Sequence, residues 1–164
     1  LSMALERIGS AKEAKQVLKK AKTLFQGTDG EIHVLRALTS LSIRNDNVTS
    51  AIRALDSIRM DSAIYTKSQL MKADILLDIK HDKQAFIRCY MNIVRANENA
   101  RSLVLLGEAY MRIQSPGSAV EVYEKAYHMN TNDELIVEKI GAALVATHSF
   151  QKAEAYYESA LTNM

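Results

Sequence analysis

AYMRIQSPGSAVEVYEKAY, residues 109–127, sets the chain's single proline beside a glycine, between two runs whose apolar residues return every three or four positions. That spacing predicts two helices meeting at a tight turn, because residues three and four apart share one helix face. Ser115 stands where an N-cap belongs and Pro116 at the first helical position, where its missing N–H is no loss. Just beyond the proline, Ala119 has an alanine 34 residues before it, another 34 after it and a third 68 before it. Ala51, Ala85, Ala119 and Ala153 therefore form one column of a repeat.

Other columns keep the same beat. Four residues after the alanine stand Leu55, Cys89, Tyr123 and Tyr157; seven after it, Ile58, Asn92, Ala126 and Ala160; twelve before it, Thr39, Ala73, Gly107 and Gly141. A period of 34 with small and aromatic columns is the mark of the tetratricopeptide repeat, a helix-turn-helix unit stacked on copies of itself. The expected fold is all-α, a right-handed superhelical solenoid of antiparallel helix pairs. Small residues are expected where helices A and B of a unit cross, since a larger side chain overpacks by roughly 1–3 kcal/mol. Mid-helix glycine costs about 1 kcal/mol against alanine, so Gly107 and Gly141 imply a close backbone approach, with the aromatic column filling space between successive repeats.

Helices are predicted at 11–25, 31–44, 48–59, 62–78, 83–96, 99–113, 116–129, 133–146 and 150–162, with Asn47, Asp82, Ser115 and Ser149 as N-caps and a capping box from Ser10 to Glu13. They group into one array: a partial repeat at 1–30, whose first helix is missing or reduced to 1–8, then repeats at 31–60, 62–97, 99–130 and 132–164. The turn FQGTDGE (25–31) is three residues longer than its equivalents. The apolar stripe Tyr157, Ala160 and Leu161 has no polar capping helix after it, so the chain reads as a segment of a longer solenoid. The unit around 66–99 is the least regular. Lys72 stands where the others hold Leu38, Leu106 and Ile140, Gln69 replaces Leu35, Leu103 and Val137, and Asn92 replaces a small apolar residue.

Composition narrows the partners. Lysine and arginine number 21 against 19 acidic residues in 164, and this net +2 lacks the excess that nucleic acid or an anionic membrane draws on. No apolar run is long enough to insert in a bilayer. One cysteine, Cys89, lies among apolar residues and reads as core, which with the absence of a signal pattern points to a soluble, cytoplasmic protein. His33, His81, His128 and His148 are scattered, so no metal site is expected. There is no phosphate-binding glycine loop, and Asp74 with Asp78, one turn apart, reads as a solvated acidic patch. No cofactor and no catalysis are expected.

A stacked array of this kind lines its inner wall with helix A. The candidate groove residues are His33, Arg36, Ser40 and Ile43 in the first full repeat, Lys67, Leu70, Asp74 and Leu77 in the second, Arg101, Val104, Glu108 and Met111 with Arg112 in the third, and Leu135, Glu138, Ala142 and Val145 in the fourth. Apolar anchors mixed with both charges suit an acidic or amphipathic peptide. A clamp for acidic chaperone tails needs lysines and asparagines where this chain has Arg36, Ser40, Met71, Arg101 and Leu105, which speaks against that use.

AYMRIQSPGSA, ALVATHSF and the FQGTDGE turn make the chain resemble the tetratricopeptide repeat protein 21 family, the large repeat subunit of intraflagellar transport complex A, over nearly its whole length. The resemblance implies a non-catalytic scaffold in retrograde transport, contacting other complex A subunits and ciliary cargo, at the cilium or flagellum and basal body. It carries no binding residue onto a numbered position. The chain departs from the usual pattern at Thr131, where a proline often closes the unit, and at Gly117 and Ser118.

Overall fold

The computed structural model describes residues 11–28, 30–131 and 133–162, with side-chain surroundings within 13–158. Among these residues there are nine α-helices and no strand: α1 (Ala11–Leu24), α2 (Glu31–Arg44), α3 (Val48–Asp56), α4 (Tyr65–Asp78), α5 (Lys83–Ala96), α6 (Ala100–Arg112), α7 (Pro116–Met129), α8 (Glu134–Ala146) and α9 (Phe150–Thr162). The expected helix at 1–8, the capping box from Ser10 and the side chains of Ala160 and Leu161 lie outside the described residues. The helices fall into two compact units, Leu1–His81 with α1 to α4 and Asp82–Met164 with α5 to α9.

In the first unit α1 packs on α2, α2 on α3 and α3 on α4. Ala14 and Leu18, one turn apart on α1, meet Val34 and Leu41 of α2, with Ala21, Ala37 and Leu38 packed around them. Helix α3 ends at Asp56 and α4 starts at Tyr65, three residues inside the expected limits on each side. Ser57 stands at the C-cap of α3, its hydroxyl donating to the Ala54 carbonyl at 2.8 Å. Buried Ile58 and Ile64 then pin the connection at both ends.

In the second unit each helix packs on the next, α5 through α9. The interior is built from Phe86, Leu103, Leu106, Tyr123, Ile136, Ile140 and Leu144, all at least nine-tenths buried.

Both units bend the chain between helices A and B in the same way. Asp46, His81, Gln114 and His148 each take a positive φ, of 55°, 54°, 63° and 59°. After the third and fourth of these bends the Ser115 and Ser149 amides donate back to the carbonyls of Tyr110 and Leu144 at 2.9 Å, closing the six-to-one bond that ends a helix in a left-handed residue. Asn47 and Asp82 cap the following helices, accepting from the amides of Ser50 and Ala85 at 3.0 and 2.8 Å. Ser115 occupies the N-cap of α7 with Pro116 after it, but its hydroxyl donates to Ser118 Oγ at 3.3 Å, so the cap is positional only. At the start of α6 a reciprocal capping box joins Asn99 and Ser102, which the sequence reading did not anticipate.

Candidate protein-interaction faces

The repeat columns hold the helix pairs that display these faces. Ala51, Ala119, Ala126 and Ala153 are at most 3% exposed, and Ala85 is 9% exposed. At the glycines the close approach comes from a ring within the same unit. A Cβ on Gly107 would lie 2.2 Å from Tyr123 Cε1, and one on Gly141 would lie 2.2 Å from Tyr157 Cζ. The tyrosine column therefore fills the space left by the glycine of its own hairpin, which corrects the expectation that it sits between repeats. Tyr123 is 2% exposed and Tyr157 is 41% exposed. Burial, and secondarily the charge of Glu108, pushes the Tyr123 phenol up to about 12. Burial, with a hydrogen bond donated to Glu124 Oε1 at 2.9 Å, does the same to Tyr156.

On the A-helix side of the first unit, Arg36 of α2 and Asp74 of α4 are exposed. Lys72 turns away and gives its ammonium to Asp56 Oδ1 of α3 at 2.5 Å, so an ion pair stands where other units make an apolar contact. Gln69 is buried, and its Oε1 has no hydrogen-bond partner.

On the A-helix side of the second unit, Arg101 and Glu108 are exposed and Met111 is half-buried. Glu108 is bound by Lys139 of α8 at 2.6 Å, which ties two successive A helices together. Arg112 lies with its guanidinium carbon 5.3 Å from the centre of the Phe86 ring on α5, a cation–π contact inside the unit. Leu135 and Val145 of α8 are 54% and 45% exposed. Of the candidate groove residues, Arg101, Glu108 and Met111 share α6, with α8 beside them. Arg36 and Asp74 belong to the first unit. Neither Lys139 nor Phe86 was anticipated, because nothing in the local sequence marks a residue that meets its partner 26 to 31 positions away.

Cys89 is buried. Among the described residues no group of three His, Cys, Asp or Glu side chains is arranged to hold a metal ion. No helix among them is long and apolar enough to cross a membrane.

Helix pairs on a period of 34, joined by left-handed bends and packed through small-residue columns, define a tetratricopeptide-type array protein. Solved structures agree on the fold. A MamA protein superposes with a TM-score of 0.58 at 19% identity over 98% of this chain and 86% of that one. A structure described as a Podosopora anserina putative kinesin light chain with nearly identical TPR-like repeats gives 0.59 at 17% identity over 98% and 90%.

Sequence relatives narrow the class to a family. Residues 1–93 match the family described as tetratricopeptide repeat protein 21 ARM repeat, and residues 100–133 match a tetratricopeptide repeat. The chain belongs to the tetratricopeptide repeat protein 21 family. Tetratricopeptide repeat protein 21B of Mus musculus is 37% identical over 93% of this chain, and that of Homo sapiens 35% identical over 98%. The Caenorhabditis elegans homolog is 30% identical over 96%. The chain spans only 12–13% of the length of these relatives.

Proposed function

We propose that this chain is a segment of a non-catalytic scaffold that joins protein subunits, resembling the intraflagellar transport complex A repeat subunit and acting with its partners and cargo in retrograde ciliary transport. The observation that carries the reading is the family membership across nearly the whole chain, together with a fold whose business is to display helix faces. Its place is the cytoplasm, with the cilium or flagellum and basal body. The test is co-sedimentation of the full-length protein with the transport complex from flagellated cells. Migration of the two in separate fractions would overturn the assignment and leave the fold untouched.

A second reading, an adaptor holding an acidic or amphipathic peptide on its A helices, is favoured by Arg36 and Arg101, which are exposed and make no ion pair among the described residues. Titration of such peptides against Arg101→Glu decides it, with an unchanged affinity counting against this face.

A further inference from the structure

The charge of this chain is concentrated in one helix. Helix α1, AKEAKQVLKKAKTL, carries five lysines and one glutamate, so it holds +4 while the whole chain holds +2. Its apolar face is committed to the core through Ala14 and Leu18. Its lysines follow a second line: Lys15, Lys19 and Lys22 are spaced by four and three, and so lie along one side of the helix over about 10 Å.

That side faces α3. Lys22 Nζ donates to Ser57 Oγ, at the end of α3, at 3.4 Å. At the other end Lys15 shares a recess of about 90 Å³ with Leu38, Leu41, Ser42, Asn45 and Asn47, the last of these being the N-cap of α3. Around these lysines Ser42, Asn45, Asn47 and Ser57 offer hydroxyl and amide groups beside the apolar Leu38 and Leu41 of α2, and none of these neighbours is a carboxylate. The acids on neighbouring turns are engaged elsewhere: Asp56 by Lys72, Asp61 by Arg59, and Glu31 by the Gly27 amide. Asp46, in the bend between α2 and α3, makes no ion pair with Lys15. Lys15 and Lys19 are exposed and have no carboxylate partner among the described residues.

We propose that the seam between α1 and α3 is a docking site for an acidic segment of a partner protein, whose carboxylates, spaced about one helical turn apart, meet Lys15, Lys19 and Lys22. Charge complementarity commits it to an anion, and the recessed, hydrogen-bonding wall commits it to a flexible one. A flat lipid headgroup layer does not reach half-buried Lys22, and the apolar stripe of α1 through Ala14, Leu18 and Ala21 is packed in the core, leaving only Leu24 exposed at its end. Stacking aromatics and arginine forks, the usual companions of lysine in nucleic-acid sites, are missing from α1. The site lies apart from the A-helix face and rests on the scaffold reading only in taking a protein as partner.

The full chain is titrated into a fluorescein-labelled peptide of alternating glutamate and serine, about a dozen residues long, at about 50 and about 300 mM salt, where screening differs more than twofold in length. Lys15→Glu with Lys19→Glu is expected to weaken binding by at least about tenfold. Lys125→Glu with Lys152→Glu, the same charge change on exposed residues of the second unit, is expected to shift it by less than about twofold. Lys15→Gln with Lys19→Gln gives an intermediate loss, and unchanged thermal melts show that each variant is folded. Equal losses in the two double variants overturn the proposal, as does an absence of peptide binding by the unaltered chain. Tighter binding to phosphatidylcholine–phosphatidylserine vesicles or to polyuridine than to the peptide also overturns it. Normal co-sedimentation with the transport complex alongside any of these results leaves the scaffold reading intact.

Discussion

Gly107 and Tyr123 show how little room a hairpin of this array leaves. The ring of Tyr123 occupies the place a glycine Cβ would take, so Gly107→Ala is expected to cost about 1–3 kcal/mol, read as a lowered urea midpoint. Adding Tyr123→Leu is expected to recover part of the loss, since a double-mutant cycle isolates the clash from the lost burial. The first full repeat already uses that combination of sizes, with Thr39 and Leu55 in the two columns and both buried. The same tyrosine also links stability to pH. Tyr123 and Tyr156 hold their protons up to about 12 in the fold against an ordinary 10.0. Folding therefore favours the neutral phenols: their contribution is whole below about pH 10 and is lost as pH climbs through about 12. Urea titrations across that window are expected to show a shallower fall for Tyr123→Phe with Tyr156→Phe than for the unaltered chain.

Helices, their order and their pairing were legible because the period of 34 repeats both apolar spacing and small residues, so each unit vouches for the others. Boundaries followed wherever a cap had a familiar form, as at Asn47 and Asp82. They slipped by three residues on either side of the α3–α4 connection, where the N-cap of α4 is Ile64 and no side chain caps it, while the box built on Ser102 in place of glutamate went unread. The left-handed bends were invisible for a related reason: Asp46, His81, Gln114 and His148 carry no glycine to announce them. At the candidate face, sequence spacing placed Arg101, Glu108 and Met111 on one helix, yet it could not reveal that Glu108 is tied to Lys139 or that Arg112 lies over Phe86. Those contacts depend on how α5, α6 and α8 pack. Gln69 was legible as an oddity, and α4 shows what the oddity costs. Its buried carbonyl oxygen has no donor, so Gln69→Leu, restoring the residue type found at Leu35 and Leu103, is expected to stabilise the chain by about 1–3 kcal/mol in thermal or urea unfolding. Lys72→Leu at the neighbouring anomaly is no parallel, because it leaves Asp56 without its cation.

For the molecule as a whole, stability in such arrays is close to a sum of unit terms and nearest-neighbour terms. Gly107→Ala is therefore expected to quicken amide hydrogen exchange most in α6 and α7 and next in α5 and α8, leaving α1 to α3 within error. Uniform acceleration from end to end would mean that the chain unfolds as one block. Whole-chain charge misleads in a similar way, because a balance of +2 conceals a helix at +4. A consequence also follows from where each tyrosine finds its cavity. Since the bulky ring and the bare backbone it rests on belong to one 34-residue cassette, the cassette can be copied or excised by unequal crossing-over with its filler already inside. Lineages can in this way add or remove repeats in whole steps, without a second mutation to repair a hole or relieve a collision.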